Sequence, residues 1–110
     1  MSDYRRVRIP DGTYFFTVNL ANRCGTALVD HIDLLRQTIG AVRKRYPFKI
    51  DAWVVLPDHM HTIWTLPGDD QDYSGRWREI KKGFTKALPG RNRLWQPRFW
   101  EHTIRNERDY

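Results

Sequence analysis

At 110 residues the chain makes one domain spanning residues 1–110, because a fold of this size buries only roughly 65% of its unfolded surface and cannot be divided into two cores. Hydrophobic residues are 40% of the sequence and aromatics 14%, which argues against disorder, and the single cysteine, Cys24, excludes an internal disulfide and a cysteine-based zinc site. Lys and Arg outnumber Asp and Glu by 19 to 13, a net charge of +6 that favours nucleic acid as partner; no apolar run nears the roughly 20 residues that span a bilayer and the N-terminus has no apolar signal core, which reads as a cytoplasmic protein without a membrane role.

A basic arm with Arg5, Arg6 and Arg8 precedes the Asp11-Gly12 turn. Thr13 to Leu20, rich in aromatic and β-branched residues, predicts the first strand. Cys24 falls in a turn-like stretch with no evident group to activate its thiol. Apolar residues at Ile32, Leu35, Ile39, Val42 and Tyr46 keep the spacing of one helical face, with Asp30 as N-cap and Pro47 as stop. Phe48 to Leu56 predicts a second, largely buried strand. The Pro57-Asp58 turn leads at once into a third, His59 to Leu66, and so short a connection makes the pair antiparallel.

After the acidic loop at Asp69, Asp70 and Asp72, Ser74 is the expected cap of a second helix whose apolar face is Trp77, Ile80, Phe84 and Leu88. Arg78, Lys82 and Lys86 form an i, i+4 ridge on another face. Pro89-Gly90 breaks the helix, and Leu94 to Ile104 predicts a final extended segment with Pro97 at an edge. Residues 105–110 open a further helix. The order β-α-β-β-α-β predicts an α+β, ferredoxin-like sandwich with an antiparallel sheet and both helices on one face.

His59 and His61 stand two apart at the start of a strand, where alternation puts both imidazoles on one face, able to share a metal, and Met60 on the other. The plainer alternative is a pair of surface or turn histidines. Following the run Trp53-Val54-Val55-Leu56-Pro57, the pair is expected on a rigid central strand, which positions a site better than a loop. Asp58 is expected as a turn residue rather than a ligand, and His31 and His102 as packing or surface histidines. Nucleic-acid phosphates have candidate partners in Arg5, Arg6 and Arg8, in the ridge of Arg78, Lys82 and Lys86, and in Arg91, Arg93 and Arg98. Trp77 is expected in the core; Trp95 and Trp100 suit either packing or stacking on unpaired bases.

Four blocks, Tyr14-Phe15-Phe16-Thr17-Val18-Asn19-Leu20, Ala52-Trp53-Val54-Val55-Leu56-Pro57-Asp58-His59-Met60-His61, Trp77-Arg78-Glu79-Ile80-Lys81-Lys82 and Trp95-Gln96-Pro97-Arg98-Phe99-Trp100-Glu101-His102-Thr103-Ile104-Arg105, run through the chain in order. In them the sequence resembles the single-tyrosine HuH transposases, specifically the branch associated with repetitive extragenic palindromes (REP). The resemblance implies that His59 and His61 hold Mg²⁺ or Mn²⁺, and that a tyrosine hydroxyl attacks a phosphate of single-stranded or hairpin DNA, leaving a 5′-phosphotyrosine and a free 3′-OH. It also implies that the nucleophile lies on a helix after the last strand. Tyr110 is the candidate there, but it resembles an earlier tyrosine of that helix, about two turns short. The expectation is therefore a chain truncated before its nucleophile and third metal ligand, inactive alone or acting as a non-cleaving hairpin-binding module. A monomer and a dimer are both compatible, since some relatives exchange the tyrosine helix between subunits.

Overall fold

Alternation of large apolar and polar side chains along two neighbouring strands sets the architecture. The computed structural model describes residues 12–22, 24–88, 94–96 and 100–104. Strand β1 (Thr13–Asn19) pairs antiparallel with β3 (His59–Thr65), and in both every second side chain is buried. β2 (Lys49–Val55) flanks β3 and β4 (Trp100–Ile104) flanks β1, both antiparallel, giving the sheet order β2-β3-β1-β4. Among the described residues there are three helices: a single turn, α1 (Ala27–Asp30), then α2 (Ile32–Arg45) and α3 (Tyr73–Ala87). Strand order and connections are those expected of a split βαβ sandwich, with the short α1 added.

Tyr14, Phe16, Val18, Met60 and Trp64 face α2 and α3 and join Leu35, Ile39, Val42, Tyr73, Trp77, Ile80 and Phe84 in one core. Its centre is aromatic: the Trp64 and Trp77 rings stack with centroids 4.5 Å apart, and Phe16 and Phe48 lie 4.8 and 4.2 Å from Trp64. Such pairs contribute about 0.5–1.5 kcal/mol each beyond burial. The opposite face, with Phe15, Thr17, Asn19, His59, His61 and Ile63, is only partly shielded. Among the described residues, no helix is long and apolar enough to cross a membrane.

Three expectations are corrected. Among the described residues β2 is an edge strand rather than a largely buried one: Val54 is 55% exposed, and only Ile50, Trp53 and Val55 pack on the core, their alternation broken by a register shift between Ile50 and Ala52. A continuous apolar run does not reveal that one strand flank is unpaired. Asp30 closes α1 instead of capping α2, whose N-cap is His31, and its carboxylate accepts from the Thr26 hydroxyl at 2.6 Å. Asp72, not Ser74, caps α3, accepting from the Gly75 N–H at 3.0 Å. The glycine permits this cap, since a Cβ there would overlap the Asp72 carboxylate.

Candidate functional site

Backbone hydrogen bonds brace the end of the sheet where β3 begins. Leu56 N–H donates to His59 O at 2.8 Å across the Pro57-Asp58 turn; Leu20 N–H donates to Asp58 O at 2.8 Å and Leu28 N–H, from α1, to Pro57 O at 3.3 Å. The turn is thus tied to β1 and to α1, and the next residue is His59. β3 is an interior strand, as the sequence predicts, and His59 and His61 both fall on the face away from the helices.

Their rings lie 5.0 Å apart between centroids at an interplanar angle of 80°. His59 Nδ1 is 2.7 Å from Asp58 Oδ1, and His61 Nδ1 is 2.9 Å from the hydroxyl of Thr17, which is His61's partner in the β1 register. Phe15 stacks on His61 with centroids 5.7 Å apart. Burial, and then the neighbouring His59, push the His61 pKa below the ordinary imidazole value, favouring the neutral ring. Asp58 is a turn residue, as expected, with its carboxylate engaged by His59. Among the described residues, no group of three or more His, Cys, Asp or Glu side chains gathers into a metal cage.

Arg78, Lys82 and Lys86 are exposed along α3, which covers the other face of the sheet, so this ridge and the histidine pair belong to opposite layers. Lys82 also lies 3.8 Å from Glu79. Beside the ridge, Trp95 packs against Phe84, with centroids 5.7 Å apart, and its indole N–H donates to the Thr85 hydroxyl at 2.9 Å. Lys81 extends over the same ring, 5.9 Å from its centroid, and donates to Gln96 O at 3.2 Å; burial lowers its amine pKa. Trp77 is in the core, as expected. His31 joins α1 to α2, and His102 pairs with Phe15 in the β4 register. Arg5, Arg6, Arg8, Arg91, Arg93, Arg98 and Tyr110 lie outside the described residues.

Sequence reading missed Thr17 and Arg76. Thr17 carries a strand signal but none for its partner 44 residues away. Arg76, adjacent to the apolar face of α3, is buried and binds carbonyls and a carboxylate on two loops.

No protein-family model matches the chain. It is 59% identical over 110 residues to the REP-associated tyrosine transposase of Escherichia coli, covering 100% of this chain and 66% of that protein. A Haemophilus influenzae protein assigned to the same family is 38% identical over 122 residues, covering 99% of this chain and 69% of the relative. The chain thus spans about two thirds of each relative's length. Among solved structures, a REP-associated tyrosine transposase bound to a REP hairpin superposes with a TM-score of 0.92 at 59% identity, over 100% of this chain and 66% of that one. A Deinococcus radiodurans protein assigned as a transposase shares the fold, with a TM-score of 0.71 at 16% identity, over 96% of this chain and 88% of the other. On the identity and coverage of these relatives, the chain belongs to the REP-associated tyrosine transposases.

Proposed function

We propose that this chain binds single-stranded or hairpin DNA and provides the metal-holding part of a HuH tyrosine transesterase, with His59 and His61 binding Mg²⁺ or Mn²⁺ through Nε2. The observation that carries this reading is the imidazole pair on the partly shielded sheet face, each ring with Nδ1 engaged inside the protein. An ion about 2.0–2.1 Å from a ring nitrogen sits about 3.2 Å from that ring's centre, so two rings sharing it lie at most about 6.4 Å apart. The observed separation is 5.0 Å, within that limit. Imidazole is not the donor these oxygen-seeking ions favour, so two rings alone hold them weakly, and the remaining positions suit water and phosphate oxygens. When bound, the ion acts as a Lewis acid on the scissile phosphate.

The chain's own residues supply the rest. Burial, and then the neighbouring His59, lower the His61 pKa, which favours the neutral ring that can ligate. Arg78, Lys82 and Lys86 offer exposed cations to DNA phosphates. The nucleophilic tyrosine, which bonds to phosphorus and releases a 3′-OH, is none of the described ones. Tyr14 and Tyr73 are buried on the helix side of the sheet, and Tyr46 caps α2 just before Lys49, which pairs with the Thr65 end of β3, away from His59. Hairpin binding without cleavage is the second reading, should the chain hold no tyrosine placed to attack.

Hairpin and single-stranded oligonucleotides are expected to bind more tightly than blunt duplex, as the hairpin-bound relative suggests; equal affinity at every salt concentration would overturn this. Mn²⁺ titration followed by electron paramagnetic resonance is expected to detect an ion lost in the His59→Ala, His61→Ala double variant. Incubation of the chain with hairpin and Mn²⁺ separates the two readings. A covalent adduct on a denaturing gel supports transesterification, its loss in Tyr110→Phe identifies the nucleophile, and no adduct supports binding alone.

A further inference from the structure

The two histidines are held by partners of different kinds, and both partners act on Nδ1. Asp58 Oδ1 lies 2.7 Å from His59 Nδ1, and Thr17 Oγ1 lies 2.9 Å from His61 Nδ1. An ionised carboxylate can only accept, so the proton between Asp58 and His59 belongs to the imidazole, and the lone pair of the neutral ring is then at Nε2. A threonine hydroxyl can donate or accept, and accepting from Nδ1–H gives His61 the same tautomer.

We propose that Asp58 and Thr17 are the positioning residues of the metal site, each receiving a hydrogen bond from the Nδ1–H of its histidine and thereby fixing the Nε2 lone pairs as ligands. This rests on the metal reading given above. Both partners stand on backbone that cannot readily shift. Asp58 sits in the turn whose carbonyls accept from Leu20 and Leu28, and Thr17 sits on β1 directly opposite His61. A neutral imidazole without such a partner exchanges between tautomers and rotates about its side-chain bonds, so part of its population presents N–H where a lone pair is required. Partners of this kind, behind a ligating histidine, typically change metal affinity about 10- to 100-fold.

Two readouts on the whole chain test this. In metal-free protein, long-range proton–nitrogen spectra of the imidazoles are expected to show Nδ1–H for His59 and His61. Asp58→Asn, whose amide can donate to Nδ1, is expected to shift His59 toward Nε2–H. In Mn²⁺ titrations, with Ni²⁺ as an imidazole-preferring probe, Asp58→Asn and Thr17→Val are each expected to weaken binding about 10- to 100-fold. Thr17→Ser is expected to restore most of the loss, which separates a lost hydroxyl from a disturbed strand. A wild-type His59 that is mainly Nε2–H overturns the inference. So does unchanged affinity in both variants when the double histidine variant has lost the ion. If the double histidine variant binds Mn²⁺ as tightly as wild type, it is the metal reading that fails.

Discussion

Replacing Arg76 with Met is expected to lower stability by about 3 kcal/mol. The guanidinium ties α3 to two loops: Nε donates to Tyr46 O at 3.1 Å, Nη1 to Asp70 Oδ1 at 3.1 Å and Asp72 O at 3.2 Å, and Nη2 to Pro47 O and Asp70 Oδ2, both at 2.9 Å. Its side chain is 4% exposed, whereas that of Asp70 is 38% exposed. Removing one member of a buried charged pair costs about 3–5 kcal/mol. Water can reach Asp70 and the surface-loop carbonyls, which places this case at the lower end. With about 2.1 cal/mol/K of unfolding entropy per residue, the loss lowers Tm by roughly 13 °C for 110 residues. Thermal melts followed by circular dichroism measure it. Arg76→Lys, which keeps the charge and loses the planar fork, is expected to recover less than half. A Tm for Arg76→Met within about 2 °C of wild type would refute the view that this arginine pins the loops.

The Arg76 hydrogen bond, foremost, holds the Asp70 pKa below the ordinary carboxylate value. With the folded pKa lower than the unfolded one, the stabilisation is present above the unfolded value and disappears as pH falls through the folded one. The Tm gap between wild type and Asp70→Asn should therefore narrow below about pH 4; a constant gap down to full protonation contradicts the linkage. Gly75→Ala places a Cβ on the Asp72 carboxylate, and the lost cap should outweigh better helix propensity, for a net cost of about 1 kcal/mol in urea denaturation. Asp72→Ala should cost a similar amount and the pair should be less than additive; full additivity removes the cap as the cause. An Arg78→Ala, Lys82→Ala, Lys86→Ala variant should fold normally and flatten the log–log salt dependence of hairpin binding by about 0.7–0.9 for each phosphate these side chains neutralise. An unchanged slope removes this ridge from the DNA interface.

Much of this protein is legible in one dimension. Alternation in Thr13 to Leu20 and His59 to Leu66 marks two half-buried strands, and the same two-residue spacing is enough to put His59 and His61 on one face. The α3 face of Trp77, Ile80 and Phe84 and the tight turn at Pro57-Asp58 are local patterns, and the family is carried by contiguous blocks. Pairing across the chain decided the rest. The apolar run through β2 reads alike at an edge or in the middle of a sheet, because exposure depends on which neighbours are hydrogen-bonded beside it. The N-cap of α3 moved from Ser74 to Asp72 through the space left by Gly75. Thr17 meets His61 across 44 residues, and Arg76 reaches Tyr46 across 30. A periodic pattern records which side of an element faces the core, but partners on other elements are set by register and strand order, and these exist only once the chain has closed on itself.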